Sequence, residues 1–182
     1  MQVDSFICST PTLTPHRHYF QQITLACLQR QDGVIPPQML YKPFILRYYE
    51  ANRLAKTNIF VLCDNDIVLP THDTLQKAIR IMEKYPNYSQ LGLGWLPDME
   101  RERQSSWKTG ENNEIWDFDH CGGCVLIRKD SIKDMGYKAE FDNGYGDDRV
   151  MGKIAREMGF KVGVIPSLYF IHLGDGYGEM QV

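Results

Sequence analysis

Five apolar residues in a row, Ile59-Phe60-Val61-Leu62-Cys63, run straight into Asp64-Asn65-Asp66. A run of this length without polar alternation is buried on both faces, which marks an interior strand of a sheet covered on two sides. Such a sheet needs helices above and below it, and the surrounding sequence supplies them. From Phe44 to Lys56, Ile45, Tyr48, Tyr49, Ala51, Leu54 and Ala55 recur at helical spacing. Thr74 to Tyr85 does the same with Leu75, Ala78, Ile79 and Met82, and Pro86 stops it. His16 to Gln31 and Asp147 to Met158 read as two more helices, the second closed by Gly159. Short strands are expected at Asp4 to Cys8, Leu91 to Leu96, Cys124 to Ile127, Lys161 to Ile165 and Leu168 to Leu173. Strands alternating with helices predict an α/β fold with a mostly parallel central sheet flanked by helices. Asp32 to Pro43, with Gly33, Pro36, Pro37 and Pro43, reads as a long loop, and residues 98–118 as a surface segment without a usable period.

The 182 residues are enough for one domain with a real core. Twenty basic against 23 acidic residues leave a net charge of −3, so the field needed to hold a nucleic-acid backbone is missing. No apolar run reaches the roughly 18 residues of a membrane span, and Met1-Gln2-Val3-Asp4 lacks the basic start of a secretory signal, so a cytoplasmic protein is the expectation. Five cysteines, an odd number with three inside apolar stretches, fit reduced core thiols better than a disulfide framework.

In open α/β sheets ligands gather at the carboxyl ends of the strands, and Asp64 and Asp66 stand at such an end. On an extended chain residues i and i+2 project to one side and offer two hard oxygen donors to one cation; the competing reading is a turn with solvated aspartates. A second pair, Asp117-Phe118-Asp119, precedes its strand instead. Asp147 and Asp148 open a helix, where the macrodipole favours carboxylates as caps, and where one of two adjacent acids can also serve as a general base. His172 closes a strand; as a ligand beside carboxylates it suits manganese better than calcium. Cys121-Gly122-Gly123-Cys124 has dithiol spacing but leads into a strand rather than a helix, so its glycines, which let a ligand approach the backbone, carry more weight. Trp95, Trp107 and Trp116 more commonly fill the core than stack on a ligand.

Taken in order, these segments resemble the catalytic domain of GT-A glycosyltransferases, most like glycosyltransferase family 2. Phe6-Ile7-Cys8-Ser9-Thr10-Pro11 resembles the opening strand, and Glu50 to Lys56 with Ile59 to Asp66 resembles the helix, strand and Asp-x-Asp metal motif. Gly122 to Arg128, ahead of Tyr145-Gly146-Asp147-Asp148, resembles the acceptor-side strand and base region. Val164-Ile165-Pro166 and Phe170 to Gly174 resemble the closing strands with the metal-binding histidine. The chain departs from the family in two places: the second strand is replaced by the Pro-rich 32–43 stretch, and Asp147-Asp148 stands where Glu-Asp is usual.

The resemblance implies a single domain over 1–182, with a nucleotide-binding half over 1–66 and an acceptor half with the metal-ligand segment over 67–182. It implies transfer of a sugar from a UDP- or GDP-sugar to an acceptor hydroxyl, aided by Mn2+ or Mg2+ held by Asp64, Asp66 and His172. Thr10, Pro11, Arg47, Asp64, Asn65, Gly122 and Gly123 would contact the nucleotide sugar, and Asp148, oriented by Asp147, would act as base in an inverting reaction. A non-catalytic binding or assembly protein that keeps the GT-A fold is the alternative, and an oligomer is left open.

Overall fold

The computed structural model describes residues 2–9, 15–41, 45–95, 108–109, 113–132 and 147–173. Strand β1 (Asp4–Cys8) leads to helix α1 (Pro15–Gln29), β2 (Gln38–Leu40) and α2 (Ile45–Leu54). The apolar run forms β3 (Ile59–Cys63), followed by β4 (Ile67–Val68), α3 (Thr74–Lys84) and β5 (Tyr88–Trp95). Then come β6 (Lys108–Thr109), β7 (Trp116–Asp117), β8 (Cys124–Arg128), a 3-10 turn (Lys129–Ile132), α4 (Asp147–Glu157) and β9 (Lys161–His172).

The strands run side by side as β2-β1-β3-β8-β5-β9-β7-β6, with β4 attached to β9. The α/β fold is as expected, but the sheet is mixed rather than mostly parallel. β1 pairs in parallel with β2 and β3, and β5 with β9, whereas β8 lies antiparallel to both β3 and β5. An apolar run reports burial and carries no direction; direction follows from the connections. The Pro-rich 32–43 stretch is not loop throughout, since Gln38–Leu40 pairs with Phe6–Cys8 as an edge strand. The two strands expected over 161–173 are one, β9, in which the register against β5 shifts between Leu93 and Gly94, opposite Ile165 and Tyr169. Pro166, with no N–H to give a ladder, falls in that irregularity.

Burial alternates along the central strands. Ile59, Val61 and Cys63 of β3 and Cys124 and Leu126 of β8 pack with Leu28 of α1 and with Leu75, Ala78, Ile79 and Met82 of α3. Phe60 and Leu62, with Val125 and Ile127, pack with Tyr48 and Ala51 of α2 and Met151 and Ala155 of α4. The sheet is therefore the middle of three layers, with α1 and α3 on one face and α2 and α4 on the other. Among the described residues no helix is long and apolar enough to cross a membrane.

Candidate functional site

β3 ends at Cys63, and the chain turns through Asp64, Asn65 and Asp66 before β4. The turn breaks the strand alternation that would have put both aspartates on one side. Their surroundings differ accordingly. Asp64 Oδ1 lies 3.6 Å from Arg47 Nη1 of α2, whereas Asp66, nearly buried, has its Oδ1 3.4 Å from His172 Nε2. Backbone pairing brings the distant imidazole there: Ile67 is opposite His172 and Val68 opposite Ile171, and the Leu173 N–H donates to the Asp66 carbonyl at 2.6 Å.

The spacing of Asp66 and His172 fits a shared ion. Two donors each about 2.1 Å from one first-row cation are separated by roughly 3.0–3.4 Å at octahedral to tetrahedral angles. The pair combines a hard carboxylate oxygen with an imidazole nitrogen, a set suited to Mn2+. Among the described residues no group of three His, Cys, Asp or Glu side chains gathers to hold a metal; Asp66 and His172 are the expected ligands that stand together, while Asp64 faces Arg47. Two protein ligands suit a cation of this kind that keeps its other positions for water and phosphate oxygens.

The Gly122-Gly123 turn joins this pair to the acidic start of α4. The Gly123 carbonyl accepts the Asp64 N–H at 2.7 Å. Gly123 has φ +70°, and a Cβ there would fall 2.2 Å from the Phe170 ring, so both conformation and space require glycine. The Phe170 ring in turn lies 6.2 Å from that of His172. On the other side, a Cβ on Gly122 would lie 3.1 Å from Asp148 Oδ2. Asp148 is in the first turn of α4, where the helix dipole favours the carboxylate; its Oδ1 accepts the Arg149 N–H at 2.9 Å. Gly152, one turn on, lets α4 press against the backbone of Asp119 and His120.

His120, which no sequence pattern singled out, has its Nε2 3.9 Å from Asp148 Oδ2. Burial holds its imidazole below the ordinary value, against the opposing pull of the Asp148 carboxylate. The expected nucleotide-side residues Thr10 and Pro11, Tyr145 and Gly146 of the base region, Trp107 and the side chains of Asp147 and Trp95 lie outside the described residues. Asn65 is half-buried in the turn, and Trp116 is half-buried in β7. The second aspartate pair serves the scaffold: Asp117 accepts from Tyr88 Oη and faces Lys161 Nζ at 3.6 Å, and Asp119 faces Arg156 Nη1 at 3.5 Å. The dithiol reading finds no support. Cys121 is buried, and burial, reinforced by Asp148, pushes its thiol far above the ordinary range, while Cys124 Sγ lies 3.1 Å from Cys63 Sγ across the β3–β8 ladder.

Neither a protein-family model nor a curated relative matches the sequence. Solved structures do. The mannosyltransferase PcManGT from Pyrobaculum calidifontis, determined with GDP-Man and Mn2+, is 14% identical and superposes with a TM-score of 0.67 over 98% of this chain and 59% of its own. S. aureus TarS 1-349 is 11% identical, with a TM-score of 0.60 over 93% of this chain and 60% of its own. The viral protein A197 from STIV is 14% identical, with a TM-score of 0.57 over 96% and 87%. The chain thus spans about three fifths of the first and of TarS, and most of A197. Its mixed sheet, its helical layers and these superpositions together give the chain the GT-A fold of nucleotide-sugar glycosyltransferases.

Proposed function

We propose that the protein is a metal-dependent glycosyltransferase that moves a sugar from a nucleotide-diphosphate donor to an acceptor hydroxyl. The observation that carries this reading is the meeting of Asp66 and His172, from opposite halves of the chain, at the carboxyl end of β3. The neighbour PcManGT, determined with GDP-Man and Mn2+, supports the same ligand chemistry. Asp66 and His172 would hold the cation, Mn2+ or Mg2+, which when bound offsets negative charge on the departing diphosphate.

The chain's own residues do the rest. Arg47 and Asp64 line the β3 end as an ion pair, and with Asn65 they would contact the ribose or donor sugar. Thr10 and Pro11 would complete the nucleotide side, so residues 1–66 form the donor half and 67–182 the acceptor half. The Gly122-Gly123 backbone packs closely beside Asp148, and the acceptor hydroxyl would approach that carboxylate. Asp148, with Asp147 orienting it, takes the proton as the hydroxyl attacks, which makes the reaction inverting.

Release of UDP or GDP from a panel of donor sugars with Mn2+ tests the reading. The wild type should turn a donor over, and Asp148→Asn should keep donor binding while losing about a hundredfold or more of turnover. Undiminished turnover by Asp148→Asn would remove the assigned base, and a wild type inert toward every donor while binding one would favour a non-catalytic role.

A further inference from the structure

Helix α1 turns a polar face to the sheet: Gln21 and Thr24 are among its buried residues, and Thr24 is fully enclosed. The Thr24 hydroxyl donates to the Ile67 carbonyl at 2.9 Å and accepts the Ile67 N–H at 2.9 Å, which uses both capacities of one side-chain oxygen on one peptide unit of β4. Cys27 repeats the contact with Leu69, whose N–H donates to Sγ at 3.2 Å and whose carbonyl lies 3.5 Å from it. Just past the helix, Gln31 Nε2 donates to the Thr71 carbonyl at 2.8 Å.

Positions 24 and 27 share one face of α1 and Gln31 follows just beyond its end, while the backbone groups of 67, 69 and 71 share one edge of an extended chain. The side chains of α1 therefore satisfy that edge as a neighbouring strand would, while β9 holds the opposite one. A two-residue strand such as β4 does not hold its place unaided. Asp66 stands at its head, its carbonyl tied to Leu173 on the β9 side.

We infer that Thr24, through this ladder, is a positioning residue that fixes Asp66 at ligating distance from His172 and so sets the affinity of the site for a divalent cation. The inference rests on the functional reading above, and Thr24 itself touches neither cation nor donor. The test is an Mn2+ titration of the full chain, following free Mn2+ by electron paramagnetic resonance, alongside hydrogen exchange at the Ile67 amide. Thr24→Val keeps volume and removes both hydrogen bonds. It should weaken Mn2+ binding about ten- to a hundredfold, as loss of supporting contacts does at metal sites, and speed exchange at Ile67. Thr24→Ser, which keeps the hydroxyl, should restore binding to near the wild-type value. If Thr24→Val does not fold, Cys27→Ala removes the adjacent rung and should weaken binding severalfold. Equal Mn2+ affinity in wild type and Thr24→Val, or in wild type and Cys27→Ala where that replaces it, overturns the inference and leaves the functional reading standing. A wild type that takes up no Mn2+ overturns the functional reading and this inference with it.

Discussion

Gly152→Ala would ordinarily help a helix, by about 1 kcal/mol in an exposed interior position. In α4 the sign reverses. A Cβ on Gly152 would sit 2.0 Å from the Asp119 carbonyl oxygen and 3.0 Å from the His120 Cα, both backbone atoms that no rotamer change can move aside. To reach even the tightest contact real Cβ atoms show, near 3.0 Å, helix and loop must part by about 1 Å. Overpacking of this kind costs about 1–3 kcal/mol. The displaced elements carry Asp148 on one side and His120 on the other, and a misplacement of about 1 Å at a reacting group lowers rate about a hundredfold. Thermal denaturation and donor turnover should therefore both fall, with Mn2+ affinity, which depends on β4 and β9, little changed. A variant that melts higher than wild type and turns over normally would refute the claim that close approach at Gly152 sets the acidic group in place.

Asp4 is buried at the start of β1, and its Oδ2 accepts from the Lys56 N–H, the Thr57 N–H and the Thr57 hydroxyl at 2.7, 2.9 and 2.9 Å. Burial raises its pKa, but these bonds outweigh burial and the folded value is lowered, so the carboxylate stabilises the fold above its unfolded pKa and that stability is lost as pH falls through the folded one. Asp4→Ala should cost about 1–3 kcal/mol near neutrality, and Asp4→Asn should flatten the stability profile below about pH 4, as measured by urea denaturation across pH. Cys121→Ser should leave donor binding and turnover within about twofold of wild type; abolished activity would return the dithiol reading to contention.

The strands buried on both faces and the four helices were legible because a continuous apolar run and a 3.6-residue period each report burial directly. What escaped has physical causes. β2 is a three-residue edge strand preceded by two prolines, and those prolines read as loop even though Gln38 to Leu40 complete a parallel pair. The antiparallel course of β8 had a trace: residues 98–118 offer no crossover helix, which a parallel neighbour would need. In α1 the buried residues include Gln21 and Thr24 beside Leu28, because the helix faces backbone edge groups that only polar side chains can satisfy. At the site, the resemblance marked Asp66, His172 and Asp148, which the structure sets beside His172, Asp66 and the glycine turn. Asp64 faces Arg47 while Asp66 faces His172, because the rule for residues i and i+2 needs an extended chain, and the chain turns there. His120 gave no periodic signal; only its place just before the glycine turn hinted at it.

The central claim is that Asp66 and His172 form a cation site that presents a nucleotide sugar to the acidic start of α4. Isothermal titration calorimetry with UDP- and GDP-sugars, with and without Mn2+, on wild type and Asp66→Ala measures it most directly. The account predicts donor binding that requires Mn2+ and is lost in Asp66→Ala. Binding indifferent to both the cation and the substitution, or no binding of any nucleotide sugar, would contradict it.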